Sequence, residues 1–238
     1  MFVIPMAGLS SRFFKAGYKK PKYQLMLGHE TVFSWAVRSF ERYFQSDKFV
    51  FIYRDVCDTG FFIKAELKKL GIKDYDLICL PSETLGQADT VYQGTTYINS
   101  DEELYIFNID SRILNFKKPQ WIKECDGYLE VFKGKGDHWS FALPEHPSSK
   151  RVIRTAEKER ISDLCSDGLY YFKHKKIFDK LFLDAQANNN TTKNEYYIAP
   201  LYNDLIAQQF IVYYDLIDNE QIMFCGTPDE YHSLLQGK

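Results

Sequence analysis

The first residues that could do chemistry form a glycine- and serine-rich turn followed by cations. Gly8, Ser10 and Ser11 lie in the turn, and Arg12 and then Lys22, directly after a proline, supply positive charge. Backbone N–H groups of such a turn can bind phosphate oxygens, a guanidinium adds a fork of donors, and a lysine adds a point charge. The stretch contains neither the Gly-Lys-Ser/Thr of a Walker loop nor the GxGxxG dinucleotide fingerprint. It predicts a local anion site, with a solvated basic loop as the alternative.

Two further stretches carry candidate binding residues. Asp110 closes the apolar run "FNID", where a buried carboxylate is costly without a partner, and a Mg²⁺ ion shared with a ligand phosphate would supply one. The alternative is an aspartate that caps the next turn. In "PSETLGQADT", Gly86 and Gln87 stand at a predicted helix start, where a flat ring could approach the backbone and amides could read its edge. Taken alone, this is also ordinary turn chemistry.

Other common kinds of site are excluded by spacing. The five histidines show no HExxH or other metal-binding spacing, and no GxSxG serine-hydrolase motif occurs. The five cysteines are scattered and never spaced as CxxC, which argues against a disulfide framework or zinc cluster and favours a reducing cytoplasm. The chain also lacks an apolar run of the ~18 residues that a membrane span needs and a signal peptide. We expect a cytoplasmic protein.

Composition indicates a folded chain whose net charge is close to zero. The chain has 238 residues, of which 45% are hydrophobic, and its net charge is −2. It can therefore bury a sizeable core, and the charge gives no reason to expect nucleic acid or an anionic membrane as a partner.

Alternating strands and helices in the first half must position these residues. Apolar runs predict strands at 2–4, 48–53, 75–80 and 103–109, with helices at 31–44, 61–70 and 86–98 between them. Thr31 is a candidate N-cap of the first helix, and Gly71 is expected to close the second. This alternation implies βαβ units and a mostly parallel sheet. Ligands bind at the carboxyl ends of strands in such sheets. That rule selects residues 6–22, 81–88 and 108–112, which contain all the candidates above.

The second half has a different rhythm. Short strands are predicted at 127–132, 138–143, 151–155 and 168–172, then helices at 174–187 and 199–209, and a strand at 210–216. Neither a low-complexity linker nor an internal repeat separates the halves. We predict a single α/β domain over residues 1–238, with a mostly parallel, mixed sheet flanked by helices.

The motifs, taken in order, resemble the sugar-phosphate nucleotidyltransferases, which comprise the nucleoside-diphosphate-sugar pyrophosphorylases and the shorter cytidylyltransferases. The matching segments are PMAG-x-SSR-F…PK, LGQA, NID, "TAEKERIS", "SDGLYYF", "NEYYIAPLYNDLI" and "FCGTPDEY", and they run from Pro5 to Tyr231. The resemblance implies a Rossmann-like, GT-A-like nucleotidyltransferase fold. It also implies a nucleotide-binding half, residues 1–125, and an acceptor-binding half, residues 126–238.

The resemblance implies a reaction and a role for each motif. An acceptor phosphate would attack the α-phosphorus of a nucleoside triphosphate and release pyrophosphate, with Mg²⁺ as the cofactor. The implied nucleotide-binding residues are Ala7, Gly8, Ser10, Ser11, Gly86 and Gln87; the catalytic residues are Arg12, Lys22 and Asp110, of which Asp110 binds the metal; and the acceptor-binding residues are Glu157, Lys158 and Glu195.

Two departures from the family pattern bear on this prediction. Phe224 stands where many relatives have a second metal-binding aspartate, so either Asp204, Asp215 or Asp229 replaces it or the metal has one protein ligand. Glu159 replaces the proline that usually follows the Glu-Lys motif, which affects the shape of the acceptor loop and hence the substrate.

The substrates expected from the resemblance are a nucleotide and a small phosphate ester. The short chain favours CTP, with UTP or dTTP next, and an acceptor that is a sugar phosphate or another small phosphorylated metabolite. The product would serve capsule or lipopolysaccharide precursor synthesis. A glycosyltransferase of the same fold and a catalytically silent nucleotide-binding relative are the alternatives, and the sequence indicates no oligomeric state.

Overall fold

The computed structural model describes residues 1–237, which form two compact units that alternate along the chain. We call residues 2–83, 108–116 and 220–237 the N-terminal unit, and residue 1 with residues 84–107 and 117–219 the central unit. The strands are β1 (Phe2–Pro5), β2 (Met26–Leu27), β3 (Glu30–Thr31), β4 (Phe49–Tyr53), β5 (Tyr75–Cys79), β6 (Leu104–Phe107), β7 (Ser111–Ile113), β8 (Gly127–Lys133), β9 (Ser140–Pro144), β10 (Val152–Glu157), β11 (Leu164–Phe172), β12 (Val212–Leu216) and β13 (Ile222–Phe224). The helices are α1 (Ser11–Lys15), α2 (Val32–Val37), α3 (Thr59–Leu70), α4 (Gln87–Thr95), α5 (Lys175–Ala187), α6 (Ile198–Ala207) and α7 (Pro228–Leu235).

The N-terminal unit contains the parallel strands β1, β4 and β5, in that order. Strand β4 is buried along its whole length. As predicted, Thr31 caps α2 by accepting the N–H of Ser34, and Gly71 ends α3 with a φ of 74° that only glycine adopts freely. Helix α2 is shorter than predicted, because the chain tightens into a 3-10 helix over Arg38–Tyr43.

The central unit is built around β11, whose nine residues are all buried. It pairs antiparallel with β6, β8 and β9, while β10 extends the sheet from β9, and β12 joins β8 in parallel. Strand β11 begins four residues before the predicted strand and has an irregular register between Ser166 and Tyr170. Helices α5 and α6 pack against each other, and α6 lies on β10.

The predicted α/β class, with a mixed sheet flanked by helices, is confirmed. The predicted loop over residues 6–22 is partly helical, because α1 lies within it and a 3-10 turn, Lys22–Gln24, follows it. Within residues 1–237, no helix has the length and apolar character needed to cross a membrane.

Candidate functional site

An ion pair between two predicted site residues is the centre of the candidate site in the N-terminal unit. The Lys22 ammonium donates a hydrogen bond to Oδ2 of Asp110, 88 positions away in the sequence. Side-chain exposure is 19% for Lys22 and 25% for Asp110, so both groups remain accessible from solvent. The structure therefore places the predicted metal ligand and the predicted catalytic lysine in direct contact.

The two residues that follow Lys22 in the chain hold it in place. The Tyr23 hydroxyl lies 2.9 Å from Oγ1 of Thr59, and Nε2 of Gln24 donates to the carbonyl of Cys57 at 3.0 Å. Tyr23 and Gln24 are buried, whereas Lys22 is half-buried. The turn is thereby anchored at the start of α3, and its cation is left to face the carboxylate.

Asp110 directly precedes β7 and contacts the C-terminal part of the chain. Its carbonyl accepts the N–H of Cys225 at 2.7 Å, and β7 pairs antiparallel with β13. A Cβ on Gly226 would lie 3.2 Å from Oδ2 of Asp110, so the Gly-Thr-Pro segment packs against the carboxylate where only glycine leaves this room. Burial raises the pKa of the Cys225 thiol to about 12, so this neighbour is a neutral thiol and not a thiolate ligand.

The opening turn exposes backbone and charge beside this pair. Ser10 has a left-handed φ of 49°, and its hydroxyl accepts the N–H of Lys22 at 3.3 Å. Gly8 is exposed, and a Cβ there would meet no atom within 4 Å. Packing inside the protein therefore does not require glycine at this position, and an incoming group can approach the backbone. Arg12 is exposed on α1.

Further residues of the turn are fixed by packing. Ala7 is buried, and Ser11 is exposed at the first position of α1. Phe13 is buried on the same helix and places its ring 6.1 Å from that of Tyr231 on α7. This aromatic contact fastens α1 to α7, the helix that follows the Gly-Thr-Pro segment.

Phe224 occupies the position at which the family resemblance led us to expect a second metal-binding aspartate. Phe224 pairs with Ser111 across β13 and β7. Of the three carboxylates considered from the sequence, Asp229 is exposed in the first turn of α7, and Asp204 and Asp215 belong to the central unit.

Glu230 is a carboxylate near Asp110 that the sequence reasoning missed. Its Oε2 accepts the N–H of Gly226 at 2.8 Å and that of Thr227 at 2.9 Å. The signal was present as a Thr-x-x-Glu capping box at the start of α7. Two backbone donors already occupy this oxygen, so its position is explained by helix capping.

The donor set around Asp110 fits a shared Mg²⁺ ion better than a closed protein site. Within residues 1–237, no group of three or more histidine, cysteine, aspartate or glutamate side chains could hold a metal. Mg²⁺ is commonly bound by one or two carboxylates, with phosphate and water oxygens completing its shell. Asp110 can supply one such carboxylate.

The predicted base-binding loop lies in the central unit and has a backbone that requires glycine. Gly86 has a φ of 115°, and a Cβ there would lie 2.6 Å from the carbonyl oxygen of Tyr196. Hydrogen bonds from Tyr196 N to Leu85 O, at 2.7 Å, and from Ala88 N to Tyr196 O, at 2.9 Å, join the two segments. Gln87 is half-buried at the first position of α4.

The predicted acceptor residues Glu157 and Lys158 lie at the end of β10. The Glu157 side chain is only 5% exposed and accepts a hydrogen bond from the hydroxyl of Ser140, which lies 3.1 Å from the Tyr170 hydroxyl. Burial raises the pKa of Glu157. Nζ of Lys158 is 3.9 Å from Oε1 of Glu157, so the two side chains lie within ion-pair distance.

Lys158 contacts a residue that the sequence reasoning did not select. Its ammonium donates a hydrogen bond to the hydroxyl of Tyr197, two residues after Glu195. Lys193 and Asn194 both have positive φ, and backbone bonds between Thr192 and Glu195 close a tight turn just before Glu195.

Comparison with known proteins gives matches among solved structures. None of the protein-family models and none of the curated proteins matches the chain. A nucleoside-diphosphate-sugar pyrophosphorylase from Vibrio cholerae RC9 is 46% identical, with a TM-score of 0.95, and the match covers 99% of this chain and 100% of that chain.

Two more distant structures share the fold. A UDP-glucose pyrophosphorylase complexed with UDP-glucose is 13% identical, with a TM-score of 0.73, over 99% of this chain and 97% of that chain. The inositol-1-phosphate CTP transferase from T. maritima is 15% identical, with a TM-score of 0.72, over 99% of this chain and 94% of that chain.

Proposed function

The chain belongs to the nucleoside-diphosphate-sugar pyrophosphorylase family, and we propose that it transfers a nucleotidyl group from CTP to a small phosphorylated acceptor. An oxygen of the acceptor phosphate forms a bond to the α-phosphorus, the bond to the bridging oxygen of the β-phosphate breaks, and pyrophosphate leaves. The acceptor phosphate is already ionised at neutral pH, so the reaction needs neither a general base nor a covalent intermediate. Catalysis then consists of positioning and charge neutralisation.

The opening turn supports the binding of a triphosphate. Gly8 leaves its backbone open to an approaching group, and the hydroxyls of Ser10 and Ser11 lie in the same turn. We assign Arg12, which is exposed, to the β- and γ-phosphates. Lys22 is assigned to the α-phosphate, where negative charge accumulates as the new bond forms. Ala7 continues the turn from β1.

The ion pair of Lys22 with Asp110 is the observation that carries this proposal. In the free protein each charge neutralises the other. With the triphosphate bound, Asp110 would hold Mg²⁺ and Lys22 would contact the α-phosphate. A bound Mg²⁺ ion would neutralise part of the triphosphate charge. Each residue would then have an oppositely charged neighbour both in the free protein and with the triphosphate bound, which avoids the cost of an unpaired, partly buried ion.

The base and the acceptor are assigned to the central unit. Gly86 and Gln87 would face the base, as the family resemblance implies. Glu157, Lys158 and Glu195 would hold the acceptor, with Lys158 on its phosphate. The hydrogen bonds that join Glu157 and Lys158 to their neighbours support a preformed site.

The preference for CTP and the biological use rest on resemblance. The chain has 238 residues, as expected for the short cytidylyltransferase branch, and the T. maritima neighbour is named a CTP transferase. We propose a sugar phosphate or small phosphomonoester as acceptor and a product used for capsule or lipopolysaccharide precursors.

Pyrophosphate release tests the function directly. The purified protein is incubated with Mg²⁺, each of ATP, CTP, GTP, UTP and dTTP, and a panel of sugar 1-phosphates and small phosphomonoesters that includes phosphocholine. We expect release that requires both substrates and is fastest with CTP. The variant Asp110→Asn keeps the side-chain shape but loses the charge, and we expect its turnover to fall by about 10²-fold or more, as for other key electrostatic groups.

Each other outcome has a distinct meaning. Faster release with UTP or dTTP keeps the transfer reaction and overturns the preference for CTP. Release of nucleoside diphosphate from a nucleotide sugar, without pyrophosphate, would identify a glycosyltransferase. Nucleotide binding without any acceptor-dependent release would identify a catalytically silent relative.

A further inference from the structure

Tyr197 contacts the acceptor-binding residue Lys158 from a separate segment of the central unit. Lys158 follows the end of β10, and Tyr197 lies two residues after Glu195, at the start of α6. The Tyr197 hydroxyl accepts a hydrogen bond from the Lys158 ammonium. The same ammonium lies 4.2 Å from the centroid of the Tyr197 ring. One side chain therefore contacts Lys158 through both its hydroxyl and its aromatic face.

We propose that Tyr197 is a positioning residue of the acceptor site, whose hydroxyl holds the Lys158 ammonium in the place where it receives the acceptor phosphate. This inference rests on the function proposed above, because it gives Lys158 an acceptor phosphate to bind. The contacts themselves are independent of that function and can be tested separately.

The backbone of Lys158 is fixed, but its long side chain needs a partner to hold the ammonium in one position. The Lys158 N–H donates to the carbonyl of Trp139 at 2.8 Å, and Lys158 has a left-handed φ of 56°, so its backbone is fixed. Its four-carbon stem retains rotamer freedom, which is costly to lose when a ligand binds. Tyr197 on one side and Glu157 on the other restrict the ammonium before the acceptor arrives, which lowers that cost.

The Tyr197 hydroxyl is neutral at physiological pH. Burial and the neighbouring Glu195 carboxylate raise the pKa of Tyr197. The side chain therefore keeps its proton while its oxygen accepts the hydrogen bond from the Lys158 ammonium.

Helix α6 places Tyr197 with respect to Lys158 through a second, independent contact. Oδ1 of Asn203 accepts the N–H of Thr155 at 2.8 Å, and Nδ2 of Asn203 donates to the Thr155 carbonyl at 2.9 Å. The Thr155 hydroxyl also donates to the carbonyl of Ala199 at 2.6 Å. Thr155 lies three residues before Lys158 on β10, and Tyr197 is the N-cap residue of α6. The helix and the strand are thus locked in one register.

The variant Tyr197→Phe separates the hydroxyl from the ring. It keeps the aromatic face beside Lys158 and removes the hydrogen bond from the Lys158 ammonium. Steady-state kinetics uses the acceptor with the highest turnover in the pyrophosphate-release panel. We expect the acceptor KM to rise about tenfold, the change typical of one lost hydrogen bond to a charged group, with the KM for the triphosphate nearly unchanged. Tyr214→Phe, on β12, is the matched control and should leave both constants unchanged.

A second measurement needs no turnover. Lysine acetylation by acetic anhydride in the free protein is followed by peptide mass spectrometry, with the exposed Lys135 as internal reference. We expect Lys158 to be acetylated several-fold faster in Tyr197→Phe than in the wild type, because its ammonium loses its hydrogen-bond partner.

The outcomes separate the contact from its role. Equal acetylation rates in the two proteins would refute the contact. Faster acetylation with an unchanged acceptor KM, or an equal rise in both Michaelis constants, would refute the positioning role. Absence of transfer by the wild-type protein would refute the proposed function together with this role, and the acetylation rates would still decide whether the contact exists.

Discussion

Replacing Glu130 by glutamine tests whether a buried carboxyl pair holds protons that the unfolded chain releases. Glu130 on β8 and Asp167 on β11 are each 2% exposed, and the two carboxyl groups are close enough for each to affect the pKa of the other. Within residues 1–237, no donor reaches Oε1 of Glu130 or Oδ2 of Asp167. Asp215, on β12, stands directly opposite Glu130 and adds a further acidic group.

These surroundings raise the pKa of both carboxyl groups. Burial, followed by the neighbouring Asp167, raises the pKa of Glu130 well above its usual range. Burial also raises the pKa of Asp167 to about 7. The folded protein therefore keeps protons that the unfolded chain loses near pH 4. A raised carboxyl pKa contributes stability that is complete below the unfolded pKa and is lost as the pH rises through the folded pKa.

The size of the effect follows from proton linkage. Each extra proton held by the folded state makes the free energy of unfolding fall by about 1.4 kcal/mol per pH unit. Glu130→Gln removes one such group and keeps the shape and a hydrogen-bond donor for Asp167. Between pH 5 and pH 7, a window of about two units, the variant should gain about 3 kcal/mol relative to the wild type.

Urea unfolding at several pH values between 5 and 8 measures this difference. Tryptophan fluorescence can report it, because the chain has three tryptophans. Glu145→Gln, at an exposed position, is the matched control and should give a curve of stability against pH that is parallel to the wild-type curve. If Glu130→Gln is also parallel to the wild type over this range, the pair holds no extra proton, and the argument from its burial is wrong.

The remaining predictions concern the two binding regions. Lys22→Ala should lower kcat more than it changes either KM, because Lys22 acts on charge that develops in the transition state. Steady-state kinetics in which both substrate concentrations are varied checks this, and a change confined to KM would contradict it. Lys158→Ala should raise the acceptor KM by roughly 10- to 150-fold and leave the triphosphate KM unchanged, since a charge-assisted contact contributes about 1.5–3 kcal/mol. An unchanged acceptor KM would refute the assignment of Lys158 to the acceptor phosphate. Gly86→Ala should reduce the free energy of unfolding in urea by at least 1–3 kcal/mol, roughly the cost of a strained φ, because of its φ of 115° and the carbonyl 2.6 Å from the added Cβ. Gly8→Ala, whose Cβ would meet nothing within 4 Å, should leave stability unchanged; equal loss in both variants would contradict the explanation.

Local pattern was sufficient for most elements of the fold. The helical spacing before Gly71 predicted α3, and Thr31 predicted the start of α2, because a cap or an apolar period acts over a few neighbouring residues. The 3-10 helix after α2 and the short α1 were not predicted. Propensity is a weak guide where packing decides how tightly a short segment winds.

The order of the motifs was sufficient for the family, and it selected residues that the structure does bring together. Lys22 and Asp110 were both candidates, yet their contact across 88 positions is visible only in the fold. The same holds for the two units, whose segments alternate along the chain with no change of composition at their borders.

Tyr197, Glu130 and Asp167 show what only the tertiary structure decided. In the sequence, Tyr197 belongs to an ordinary aromatic pair, and the two carboxyl residues lie in strand-like runs. Their significance depends on strand register and on helix placement: α6 must lie on β10 for Tyr197 to reach Lys158, and the irregular register of β11 accompanies the contact of Asp167 with Glu130. Residue type and local spacing determine which groups a chain can offer, but distance and burial between remote segments determine which of them meet, and those are set by packing of the whole core.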